Sequence, residues 1–151
     1  MEVTKVIRKA YDQVREFNDI AGNLTNVTDD SVDNQIGFIF EELSETITGF
    51  EEGNRVEVLD GACDLFVTVA GLLQKLEAQG YNVAEALTRV NENNLSKFPA
   101  VGELFGQPIG CTATLNEKYN RMVIKDGVGK VRKPSTYSGP YLTDLIPKRG
   151  V

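Results

Sequence analysis

The chain reads as all-α: a four-to-five-helix antiparallel bundle completed by oligomerisation, with an irregular C-terminal arm that has room for a short β-hairpin. Three observations predict this. Apolar residues recur at three- and four-residue spacings through most of the first 98 positions. After Pro99 that periodicity gives way to scattered Gly and Pro. Finally, the run from Ala62 to Leu73 is apolar, small or neutral nearly all round, save for Asp64. Such a helix must be covered on more than one side. A four-helix body of this length supplies too little cover, so a homodimer or homotetramer is expected.

The elements follow in order. Val3, Val6, Ile7, Tyr11, Val14, Phe17 and Ile20 mark a helix over 3–21, stopped by Gly22-Asn23. A second helix starts near Asp30 or Ser31, either able to cap it, and runs to about Phe50. Its stripe is Ile36, Ile39, Phe40, Leu43, Ile47 and Phe50. Gly53-Asn54 turns the chain into a third helix over roughly 55–79, ended by Gly80. A fourth, roughly 82–96, carries Val83, Ala86, Leu87, Val90 and Leu95. Beyond Pro99, Cys111–Leu115 and Met122–Lys125 are β-prone and spaced for a hairpin. The division is thus 1–98 as a helical domain, expected to be the catalytic one, and 99–151 as an extended arm on the body or a neighbouring subunit.

Charge is distributed unevenly. Residues 1–117 hold 20 acids against 8 bases, whereas 118–151 hold 2 acids against 8 bases. An acidic body argues against nucleic acid as the partner. The basic tail, from Lys118 to Arg149, suits phosphates or an acidic protein surface. No stretch reaches the ~18 apolar residues of a membrane span, and the first residues lack a signal-peptide core. Cys63 and Cys111 stand alone, and Cys63 is expected as a small buried thiol. These features predict a cytoplasmic protein with no membrane partner.

The chemistry concentrates in five carboxylates: Glu41, Glu42 and Glu45 on the second helix, Asp60 and Asp64 on the third, with Glu57 a further candidate. Residues three and four apart share a helix face, and the Gly53-Asn54 turn folds the two faces together. Only one basic residue, Arg55, lies between Glu41 and Asp64. A carboxylate withdrawn from water costs several kcal/mol unless compensated. A divalent cation compensates it, and oxygen donors favour Mg²⁺, with Mn²⁺ as an alternative. The chain has no His, which excludes His-based zinc sites and every His-dependent triad. Acids on amphipathic helices usually face water, and that reading suffices for Glu51, Glu52, Glu77 and Glu85. Two decoys are set aside. Asp29–Phe40 begins like a calcium loop but lacks the central Gly and final Glu. Gly127-Val128-Gly129-Lys130 lacks phosphate-loop spacing.

Glu41-Glu42-Leu43-Ser44-Glu45 followed by Glu57-Val58-Leu59-Asp60-Gly61-Ala62-Cys63-Asp64 resembles the EExxE…ExxD signature of the all-α nucleoside triphosphate pyrophosphohydrolases. That superfamily includes MazG-like proteins, dimeric dUTPases and phosphoribosyl-ATP pyrophosphohydrolases. Asn94-Leu95-Ser96-Lys97 and the tail Gly129-Lys130-Val131-Arg132-Lys133-Pro134 with Tyr137 and Pro140-Tyr141-Leu142 resemble segments of its phage-encoded MazG-like branch. The ordered set spans most of the chain, from about Phe17 to Leu142. One departure stands out. In many relatives the signature aspartate directly precedes the apolar run, which maps it to Asp64 and its glutamate to Gly61. Either Asp60, one turn back, stands in, or the literal Glu57-x-x-Asp60 is the pair.

The resemblance implies Mg²⁺-dependent hydrolysis of a (deoxy)nucleoside triphosphate to monophosphate and pyrophosphate, in the service of nucleotide-pool control. Glu42, Glu45, Asp60 and Asp64 would hold metal, with Glu57 as a further ligand. Glu41, Glu42, Glu45 and Asp64 would be the catalytic set, Glu41 polarising water. Asn94, Lys97, Lys130 and Lys133 would meet the phosphates. Gln35, with Phe17 and Asn18, would sit near the base. Two alternatives remain open: a non-catalytic metal-binding helical oligomer, or the same chemistry on phosphoribosyl-ATP or an alarmone.

Overall fold

The computed structural model describes residues 2–103 and 105–148; Arg149 of the basic tail lies outside them. The order is α1 (Val3–Ile20), α2 (Asp29–Glu51), α3 (Arg55–Ala78), α4 (Val83–Leu95), β1 (Thr112–Asn116), β2 (Arg121–Lys125) and a 3₁₀ turn at Thr143–Leu145. The protein is mostly helical, with a two-stranded antiparallel sheet in its C-terminal part. No described helix is long and apolar enough to cross a membrane. Two compact units form: Met1–Val83 with Ile146–Val151, and Ala84–Leu145. Most of α4 therefore belongs with the C-terminal residues.

In the first unit, α2 and α3 form an antiparallel pair. The cap of α2 is Thr28, two positions before Asp30, the nearer of the expected caps. Its hydroxyl accepts from the Ser31 N–H, and the Ser31 hydroxyl accepts in turn from the Thr28 N–H, both at 3.2 Å. That reciprocal box satisfies two N–H groups that an uncapped helix leaves open. Asp29 and Asp30 in the first turn suit the positive end of the helix dipole. At the far end Gly53 takes φ +72°, a conformation costly for any side chain with a Cβ. Asn54 then caps α3 by accepting from Glu57 N–H at 3.2 Å.

The two helices touch along a line that runs in opposite directions on each. A Cβ on Gly49 would lie 2.7 Å from Glu57 Cβ, and one on Gly61 would collide with Thr46. Further along, Gln35 Nε2 donates to Thr68 O at 2.9 Å, and Lys75 Nζ donates to Ser31 O at 2.8 Å. At the end, Gln79 Nε2 donates to Asp29 Oδ1 at 3.2 Å. Glycines let the backbones approach near the turn, and amides and an ammonium bridge the helices farther from it.

The buried side of this unit is largely polar. Among the described residues Asn18, Gln35, Gln74 and Lys75 are buried, against Val14, Ala70 and Val83 of the larger apolar types. Asn18 Nδ2 donates to Gln74 Oε1 at 3.1 Å, and Gln74 Nε2 donates to Tyr11 O at 3.1 Å, tying α1 to α3. Among the described residues no buried side-chain polar atom lacks a partner. The apolar stripes, by contrast, stay largely uncovered within one chain: Val3, Val6, Ile7, Phe17 and Ile20 on α1, and Ile36, Phe40, Leu43, Ile47 and Phe50 on α2, are all exposed. Cys63, expected to be buried, is exposed as well.

Burial lowers the Lys75 pKa from its ordinary 10.5. The charged form therefore costs folding free energy below the lowered value, and that cost fades as pH rises from there towards 10.5. Lys75→Met removes that pH-dependent cost together with the bond to Ser31 O, so its melting temperature relative to the wild type should fall as pH rises towards 10.5. Melting curves across that range check it; a relative melting temperature that grows with pH would contradict the assignment.

In the second unit β1 and β2 pair with Thr112 opposite Lys125 and Asn116 opposite Arg121. Ile124 of β2 is fully buried. The later part of the arm is strapped to α4: Arg89 donates to the Tyr141 carbonyl at 3.0 Å and to Asp144 at 2.7 Å, and Asn93 donates to the Ser138 carbonyl.

Candidate functional site

Glu42 and Asp64 are half-buried, while Glu41, Glu45 and Asp60 are exposed. Asp64 is thus less enclosed than its apolar neighbours suggest, because Ala62, Cys63, Phe66 and Val67 are themselves exposed. Desolvation, followed by the charges of Asp64, Glu45, Glu41 and Asp60, raises the Glu42 pKa above its ordinary value. The antiparallel α2–α3 pair therefore brings the two acid sets within electrostatic reach. Glu57 is not among the charges acting on Glu42; it lines a groove with Glu45 and Glu52 near the turn.

Among the described residues, no three His, Cys, Asp or Glu side chains converge as a metal-holding group. Like charges one turn apart repel, which opposes such convergence. The donor set itself is all oxygen, as Mg²⁺ or Mn²⁺ requires.

Thr46 is a neighbour that the sequence does not flag. Its hydroxyl donates to the Glu42 carbonyl at 2.7 Å and lies against Gly61. Position 61, where the resemblance would place a glutamate, has no room for one. Gln35 is committed through Nε2 to Thr68 O and packs on Gly71, and Asn18 is tied to Gln74, so both serve first to join helices. Phe17 is exposed.

All four expected phosphate-facing residues lie in the second unit, and three of them, Asn94, Lys97 and Lys133, are connected there. Lys97 Nζ donates to Asn94 Oδ1 at 2.8 Å, and Lys97 and Lys133 both lie over the Tyr137 ring, at 5.9 and 4.5 Å. Tyr137 in turn donates its hydroxyl to Asn93. Among the described residues neither lysine forms a salt bridge. Lys130 instead sits in the Asp126 turn, its N–H donating to Asp126 Oδ1 at 2.9 Å. Asn93 and Tyr137 carry no site signal of their own in the sequence, although Tyr137 belongs to the tail segment that carries the resemblance.

No family model, curated protein or solved structure matches the chain. The resemblance rests on the motifs alone.

Proposed function

We propose that the protein is a metal-dependent nucleoside triphosphate pyrophosphohydrolase. What supports the reading is the ordered motif resemblance together with the placement of Glu41, Glu42 and Glu45 on α2 against Asp60 and Asp64 on α3, near enough for the Asp64 charge to act on Glu42, with one intervening basic residue. Glu42, Glu45, Asp60 and Asp64 would hold a divalent cation, which supplies positive charge against phosphate oxygens. Glu41, exposed on the same helix, is available to take the proton of the attacking water. Attack breaks the α–β anhydride bond and yields a monophosphate and pyrophosphate. From the resemblance alone, Asn94, Lys97, Lys130 and Lys133 would be the phosphate contacts. A pyrophosphate-release screen across ribo- and deoxynucleotides with Mg²⁺ or Mn²⁺ tests the reading, and silence across all of them would sink it.

Self-association belongs to the same proposal. Phe40, Phe50 and Leu59 are 65%, 76% and 68% exposed, and Ile36, Phe38, Leu43, Ile47, Val56 and Phe66 are exposed with them. An aromatic side chain alone carries about 150–250 Å². Apolar side chains exposed in that number along two paired helices are more than the scattered single residues of an ordinary surface, which favours association. Sedimentation should show a dimer or tetramer, and Phe66→Asp should shift it towards monomer; a monomeric wild type would refute this.

A further inference from the structure

A groove of about 570 Å³ opens in the second unit, outside the carboxylate site, lined by Leu95, Phe98, Asn116, Tyr119, Arg121 and Val123. That volume suits a small organic ligand. Leu95, Phe98, Tyr119 and Val123 make its walls apolar and aromatic, fit for a flat ring. Its charged group, Arg121, is a donor. Asn116 Oδ1 accepts from Tyr119 N–H at 3.2 Å, and the amide Nδ2 is a further donor. The Arg121 guanidinium can only donate, and among the described residues it makes one long bond, 3.4 Å to the Phe98 carbonyl. Lys118 adds positive charge beside the groove, 5.1 Å over the Tyr119 ring.

A flat ligand that faces the Arg121 fork must present adjacent acceptors, and a cationic rim favours an anionic tail. Guanine offers O6 and N7 side by side, the pair a guanidinium engages with two bonds, whereas adenine pairs N7 with a donor. We propose that this groove binds a guanine nucleotide, without metal and without turnover.

Titration calorimetry of the full chain in EDTA, with GMP, AMP and 7-deaza-GMP, tests it. GMP should bind about tenfold tighter than either analogue. Arg121→Lys, which keeps the charge but loses the fork, should erase that preference, and Tyr119→Ala should weaken all three about tenfold. Asp64→Asn should leave GMP binding unchanged, which separates this proposal from the hydrolase reading. Equal affinity for GMP and AMP, a preference surviving in Arg121→Lys, or no binding at millimolar GMP would each overturn it.

Discussion

Asp64→Asn should lower Mg²⁺-dependent pyrophosphate release by about 100-fold or more while the protein stays folded. Asparagine keeps the shape and removes the charge. Desolvation is the largest cause of the raised Glu42 pKa and the Asp64 charge is the next, so its loss lets Glu42 ionise more readily. The sign for stability follows. A carboxyl whose folded pKa is raised favours the fold at low pH, and that contribution is lost as pH rises through the raised value. The variant should therefore lose less stability over that window than the wild type. Mg²⁺ should raise the melting temperature of the wild type and do so less for the variant. Retained pyrophosphate release in a folded variant would remove Asp64 from the site.

The helices are legible in the sequence because three- and four-residue spacing, Gly-Asn turns and small capping residues are local signals. Each observed helix lies within two residues of its expected bounds, and the hairpin within one. Which face is covered is not a local property. The stripes of α1 and α2 identify helices, yet they stay exposed in a single chain, while Asn18, Gln35, Gln74 and Lys75 fill the space between helices. Polarity alone marks those four as surface residues; only the partner across the helix pair reveals their role. The acid set is legible from charge and spacing. The meeting of Lys97 and Lys133 over Tyr137 is not, since 36 positions separate the lysines.

Gly61 offers the sharpest test of the helix pair. Substituting Ala there should destabilise the protein by about 1–3 kcal/mol, as overpacking does. Ala is the better helix former by about 1 kcal/mol, so a net loss must come from packing. The added Cβ would strike the Thr46 hydroxyl and lie 3.3 Å from Thr46 Cα, which is backbone and cannot swing aside. Gly61→Glu, which restores the literal family pattern, should cost more still, because it adds a buried charge to the collision. Thr46→Ala should recover part of the loss in Gly61→Ala, since it removes the nearest atom while leaving the backbone contact. Denaturant unfolding of the four proteins in that double-mutant cycle measures the coupling directly. If Gly61→Ala proved stabilising, α2 and α3 would not meet at Thr46 and Gly61, and the acid sets would lose the register that sets Glu42 beside Asp64.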